Sequence, residues 1–183
     1  MKIKTKTGAL LLLAALTLAG CRGTSPDANS AGDQSPTPPP TGPKPAASLP
    51  DNGFKAQLAV TDPPARLRAG QKQTVQVKVK NASDVQWYAR GGEINTNPDN
   101  RFYIAVGNRW LKAEGEEMVT NMDGRYGLPK DLAPGEEIEV PLQVTAPKTP
   151  GDYLLEVDLI QEQVGWFLDK GSPTAKVKVT VVR

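Results

Sequence analysis

The chain has 183 residues, with 22 Lys and Arg against 20 Asp and Glu, no His and a single Cys at position 21. Without imidazole or a second thiol, zinc, copper and haem sites are not expected, and the bases of Ser-His-Asp and Cys-His nucleophilic catalysis are missing. An internal disulfide is excluded as well, so apolar packing must supply the stability.

Charge first appears basic, with a sequence pI of about 8.6. However, Lys2, Lys4 and Lys6 sit in a leader, and without them 19 Lys and Arg face 20 Asp and Glu, a balance of −1. No concentrated basic stripe remains for nucleic acid, and none is expected as a partner.

Those three lysines form a positive segment ahead of the apolar run Gly8 to Gly20. At 13 residues the run is too short to cross a hydrocarbon layer of roughly 30 Å, which takes about 20 helical residues, so it reads as the core of a signal peptide over residues 1–20. It ends in Leu18-Ala19-Gly20-Cys21, which resembles the lipobox of bacterial lipoproteins. The resemblance implies that the Cys21 thiol takes a diacylglyceryl group, that cleavage occurs before it, and that the new amino group is often acylated, palmitate being a typical chain. Two or more acyl chains make anchorage to a membrane stable where one is marginal. Arg22 follows the cysteine in place of the aspartate that resembles an inner-membrane retention signal. The expected address is therefore the extracytoplasmic side of the cell envelope, on the outer membrane where the cell has one.

Residues 21–52 read as a linker: positions 22–52 hold eight of the 17 prolines and almost nothing large and apolar. Such a composition cannot repay the entropy of ordering, which predicts a disordered tether with polyproline II stretches around Pro38-Pro39-Pro40. It spans roughly 30 Å as a coil and at most about 95 Å extended. Deleting it should change domain stability by less than about 1 kcal/mol.

From residue 53 to 183 a period of two takes over. Val75, Val77 and Val79 alternate with Gln76, Lys78 and Lys80, and the pattern returns at Ile138, Val140, Leu142 and Val144 and at Val177, Val179 and Val181. Strands are predicted over 74–81, 137–145 and 175–182, with others near 54–60, 85–90, 101–111 and 152–161. Turn residues separate them at Ala69-Gly70-Gln71, Arg90-Gly91-Gly92, Ala113-Glu114-Gly115, Asp123-Gly124, Pro134-Gly135 and Pro150-Gly151. Seven or eight short strands at this spacing predict an all-β, antiparallel sandwich, and two details sharpen it to an immunoglobulin-like one. Trp87 shares parity with Val85 and is aimed inward, and Tyr153 opens a long strand where a tyrosine-corner hydroxyl caps the preceding backbone.

Asn81-Ala82-Ser83 with Trp87, Leu132-Ala133-Pro134-Gly135-Glu136, Ala146-Pro147, Pro150-Gly151-Asp152-Tyr153 and Trp166-Phe167 resemble the Ig-like modules of bacterial surface proteins and the NBR1-type four-tryptophan domain. The stretch from Asn108-Arg109-Trp110 to Gly165-Trp166-Phe167 is also similar to Ig-like modules appended to bacterial glycosyltransferases and polysaccharide exporters. The resemblance implies a non-catalytic module, without a cofactor, that binds an envelope protein or polysaccharide.

Three groups of residues are candidates for a site. Asn95, Asn97, Asp99 and Asn100, and separately Asn121 with Asp123, offer oxygens for calcium, although turn formation explains them equally. Glu156 and Asp158 share a strand face at i and i+2, as a two-carboxylate glycosidase would need, or else form a solvated face paired with cross-strand Lys or Arg. The pairs Trp87-Tyr88, Phe102-Tyr103 and Trp166-Phe167 must each send one ring away from the core. With Trp87, Phe102, Ile104 and Val106 inward, Tyr88 and Tyr103 are predicted to stand outward as ligand anchors. Trp166 joins them unless a bulge at Gly165 swaps it with Phe167.

Overall fold

The computed structural model describes residues 45–89 and 100–183. The leader, Cys21, the tether up to residue 44, the Arg90-Gly91-Gly92 turn, and Asn95, Asn97 and Asp99 lie outside the described residues. Among the described residues, no helix is long and apolar enough to cross a membrane.

The described strands are β1 (Ala56–Val60), β2 (Arg66–Arg68), β3 (Lys72–Asn81), β4 (Ile104–Lys112), β5 (Met118–Gly127), β6 (Glu137–Thr145), β7 (Gly151–Gln161), β8 (Gly165–Trp166) and β9 (Ala175–Val182). One sheet has the order β1-β3-β6; the other runs β2-β9-β7-β4-β5, with β8 paired to the end of β7. All pairings are antiparallel except β2 with β9. The chain thus leaves β1 at the edge of one sheet and crosses to the edge of the other at β2. Two facing antiparallel sheets in this strand order form an immunoglobulin-like β-sandwich.

Alternation explains the core. Val75, Val77 and Val79 of β3 and Val140, Leu142 and Val144 of β6 are buried, and they meet Val106, Trp110, Leu155 and Val157 of the opposite sheet in one cluster. The strands predicted over 74–81, 137–145, 152–161 and 175–182 form within two residues of those limits. Tyr153 also behaves as predicted: its hydroxyl donates to the Thr149 carbonyl at 2.8 Å.

Two expectations are corrected. Of the strand predicted over 85–90, the described residues 85–89 form none; Trp87 makes only an isolated bridge with Leu132. The Asn81 side chain holds this segment in a turn, donating to the Val85 and Leu132 carbonyls at 2.8 and 2.9 Å and accepting from the Ser83 hydroxyl at 2.7 Å. Trp87 is nevertheless fully buried, and its indole N–H donates to the Gly53 carbonyl at 2.9 Å. A second buried tryptophan, Trp110, does lie on a strand, β4, edge-to-face with Tyr153 at 6.3 Å.

Asp123-Gly124 is not a turn but lies inside β5. Gly107 pairs with Arg125 and Arg109 with Asn121, so residues 122–124 bulge opposite Asn108, with Met122 at φ 60°. The Asp123 carboxylate accepts from the Trp110 indole at 3.3 Å, from the Asn108 amide at 3.4 Å, and from the Thr145 N–H of β6. The Asn108 side-chain oxygen accepts the Gly124 N–H at 2.8 Å. A Cβ on Gly124 would overlap the Gln143 carbonyl, so only glycine allows β5 to approach β6 this closely. One carboxylate thereby ties the two sheets together along this side.

Candidate functional site

The inner strands β4 and β7 of the six-stranded sheet are buried along nearly their whole length. Their outward face carries Arg109 of β4 between Glu156 and Asp158 of β7, in a register that sets Arg109 opposite Glu156 and Gly107 opposite Asp158. Arg109 Nε lies 3.1 Å from Glu156 and its Nη2 3.4 Å from Asp158. Glu156 also accepts from the Thr174 hydroxyl at 2.9 Å, with Lys176 at 3.7 Å. Asp158 accepts the Leu159 and Leu168 N–H groups at 2.8 and 3.1 Å.

The solvated face predicted for this carboxylate pair is therefore corrected: Glu156 and Asp158 are 4% and 0% exposed. The cross-strand cations are present, but the cluster has a cover. β8 folds back on β7, pairing Trp166 with Ile160, and Trp166, Ile160 and Ala105 form a second small apolar cluster. The Trp166 ring lies 4.8 Å from the Arg109 guanidinium. Gly107 makes room for it, since a Cβ there would come within 2.8 Å of the indole. Arg125 reaches the same ring at 5.8 Å and pairs with Glu162 at 2.6 Å.

Burial pushes the Asp158 carboxyl up to about 6, against the two N–H bonds and Arg109, which favour its ionised form. Both carboxylates are turned onto one guanidinium and are not displayed across an open space.

The aromatic pairs also divide differently from expectation. Phe102 sits at φ 68°, a left-handed conformation costly for so bulky a residue, and it breaks the alternation ahead of β4. Ile104 and Val106 stay in the core, while Phe102 drops out to a half-buried position beneath the Arg101 guanidinium, 4.6 Å away. Tyr103, predicted to be exposed, is buried at 6%. In the last pair Phe167 enters the core, edge-to-face with Phe54 and Trp87 at 5.0 and 5.3 Å, and Trp166 takes the other face but is only 8% exposed. Of the three predicted anchors only Tyr88 keeps a substantial accessible surface.

In the calcium candidates, Asn100 is buried, Asn121 is exposed, and Asp123 is spent on the bonds between the sheets. No group of three or more acidic or thiol side chains is arranged for a metal among the described residues.

Tyr88 lies at the end of the sandwich where the tether arrives. Within the segment read as linker, Pro45 is buried, and Leu49 packs against the core. The Ser48 hydroxyl and the Leu49 N–H both donate to the Gln161 side-chain oxygen, at 2.9 and 3.1 Å. The Gln161 amide N–H in turn donates to the Phe102 carbonyl at 3.0 Å. Asn52 bonds Asp84 at 2.8 Å, and Lys170 pairs with Asp51 at 3.3 Å. Leu49 was the one signal for this docking, as the single large apolar residue in 22–52. Between this strap and the sandwich lies a cavity of about 200 Å³ whose walls include Ser48, Gln86, Tyr88, Phe102, Ile104 and Gln161.

No protein-family model and no curated protein matches the sequence. Among solved structures, the chain is similar to a CARDB domain from Pyrococcus furiosus crystallised with di-metal ions, at 15% identity over 70% of this chain and 86% of that one, with a TM-score of 0.39. A β-glucosidase from Listeria innocua in complex with glucose gives 17% identity, 70% and 16% coverage and a TM-score of 0.40. Spo0M, a sporulation control protein from Bacillus subtilis, gives 15%, 70%, 49% and 0.37. Likenesses this distant carry nothing about what this chain binds.

Proposed function

We propose that the chain is a lipid-anchored, extracytoplasmic module that binds or assembles with other components of the bacterial cell envelope and performs no catalysis. The observation that carries this reading is a Leu18-Ala19-Gly20-Cys21 leader joined to a sandwich whose buried Gln161 receives the far end of the intervening linker. In this reading Cys21 bears the lipid, and the acyl chains hold the molecule on its membrane. The strap at Ser48 and Leu49 sets where the linker leaves the domain. The non-catalytic part rests on Glu156 and Asp158: carboxylates engaged by one guanidinium under an indole lid are poorly placed to flank a glycosidic bond. The partner is an envelope protein or polysaccharide.

Replacing the only thiol, Cys21→Ser, should abolish fatty-acid labelling and leave the leader uncleaved. The wild-type N-terminal fragment should carry a diacylglyceryl mass increment on cysteine. A mature wild-type protein with an unmodified N-terminus elsewhere would overturn the anchoring.

A second reading, a carbohydrate-binding module, is favoured by the tether-end cavity, where aromatic, amide and hydroxyl groups meet.

A further inference from the structure

We propose that the cavity beneath the strap takes a single uncharged sugar ring. This rests on the carbohydrate-binding reading above and assigns it a place and a ligand class. Three observations converge on it.

The first is size and charge. At about 200 Å³ the space falls below the roughly 300–1,000 Å³ of pockets for drug-sized ligands, so it admits one ring and not a chain. None of its lining residues carries a charge. An anionic sugar would lose its hydration there with no charged group in the lining to offset the loss, the exposed Arg101 guanidinium being stacked on the Phe102 ring and not itself part of the wall.

The second is hydrogen-bonding capacity left over. The half-buried Tyr88 hydroxyl and the Gln86 side-chain oxygen have no partner among the described residues, although the Gln86 amide nitrogen reaches the Trp87 carbonyl at 3.4 Å. A hydroxyl that donates and accepts, beside a carbonyl that accepts, suits the vicinal hydroxyls of a sugar. The rings of Tyr88 and Phe102 offer apolar surface for its C–H face.

The third is Phe102 itself. Its left-handed backbone is held on both sides, by its N–H to the Glu162 carbonyl at 2.9 Å and by its carbonyl from the Gln161 amide at 3.0 Å. Strain of this kind persists only where the surroundings over-determine it, and it gathers at ligand sites. Here it turns the ring of Phe102 out of the core and into the cavity wall. Gln161 therefore does two things at once, pinning the strap and fixing Phe102, so the cavity's two walls are set by one buried amide.

The test uses the full acylated chain in a detergent without a sugar headgroup. Saturation-transfer NMR and calorimetric titration are run with glucose, galactose and N-acetylglucosamine, with glucuronate as the charged comparator. Saturable binding of at least one neutral sugar is expected, with a dissociation constant on the order of 1 mM for so small a ligand. Glucuronate should bind at least about tenfold more weakly, and Tyr88→Phe and Gln86→Ala should each weaken the neutral sugar by about tenfold at an unchanged melting temperature. Chemical-shift changes at Tyr88, Gln86 and Phe102 in the wild type give a reading independent of either variant's folding. Neutral oligosaccharides ending in the preferred ring assign the source: binding as tight as the monosaccharide or tighter means a glycan terminus, and loss of binding means a free sugar. No saturable neutral-sugar binding, tighter glucuronate binding, or binding that both variants leave unchanged overturns the proposal. Titrating the same preparation with isolated envelope polysaccharide separates the two levels. Polysaccharide binding that is indifferent to Tyr88 and Gln86 sinks the cavity and leaves the carbohydrate-binding reading standing, whereas binding to neither sinks both.

Discussion

In the three-stranded sheet, β3 and β6 alternate buried and exposed residues, whereas β4 and β7 of the facing sheet are buried at almost every position. The first pattern records one solvated face, and the second records two inner strands covered on both sides, while β5 and β9 beside them keep exposed positions. What covers the second sheet is unusual in composition. An indole lies over a guanidinium that neutralises two carboxylates, so this sheet carries a buried set of charges on its outer face where the other leaves its outer face to water.

The sharpest way to break this contrast is to remove the cation. Arg109→Ala leaves Glu156 and Asp158 buried without their main counter-charge and should cost about 3–5 kcal/mol, read by urea unfolding. A loss below about 1 kcal/mol would mean that water reaches the cluster and that the cover is loose.

The next effect depends on pH. Burial raises the Asp158 carboxyl from its ordinary 3.8 to about 6. The folded protein then holds this proton more tightly than the unfolded chain, so the contribution of Asp158 to stability is greatest below about pH 4 and falls as pH rises to about 6, by at most about 3 kcal/mol. The stability of the wild type relative to Asp158→Asn should decline across that window. A difference that grows with pH would mean that Arg109 and the N–H bonds outweigh burial.

A smaller effect is expected at the strap. Gln161→Ala removes the acceptor for Ser48 and Leu49 and should cost about 1–3 kcal/mol, with residues 45–50 becoming open to proteolysis. This exceeds the loss of under about 1 kcal/mol that composition predicts for deleting the whole tether. Least of all, Lys78→Ala on the solvated face of β3 breaks only an exposed 3.6 Å pair with Glu137 and should shift stability by no more than about 0.5 kcal/mol.

The same contrast explains what could be read in advance. Val75, Val77 and Val79 announce their strand because water on one face forces polar residues between them. On β7 the run Leu154 to Gln161 has no such alternation, and nothing local says that Glu156 and Asp158 are buried, since their partner Arg109 lies 47 and 49 positions away in sequence. β5 escaped notice because Asn121, Asp123 and Gly124 have turn chemistry, which here serves a bulge. Tyr103 and Phe102 exchanged roles because one left-handed residue resets parity, and parity counting assumes that none intervenes. Tyr88 keeps the accessible surface that parity gave it, whereas the burial of Gln161 could not be read, because a glutamine at a strand end gives no sign that it will be buried.

The strap also has a mechanical meaning. If the chain is held at Cys21 as proposed, any pull from the membrane reaches the domain along residues 45–53, and the first bonds to bear it are those of Ser48 and Leu49 to Gln161. Beyond them come the Asn52 contact with Asp84 and then the Trp87 indole on Gly53, before β1 is loaded at all. Tension would therefore be dissipated in sequence through a few re-formable hydrogen bonds, and the sandwich would be spared the first part of every tug on its anchor.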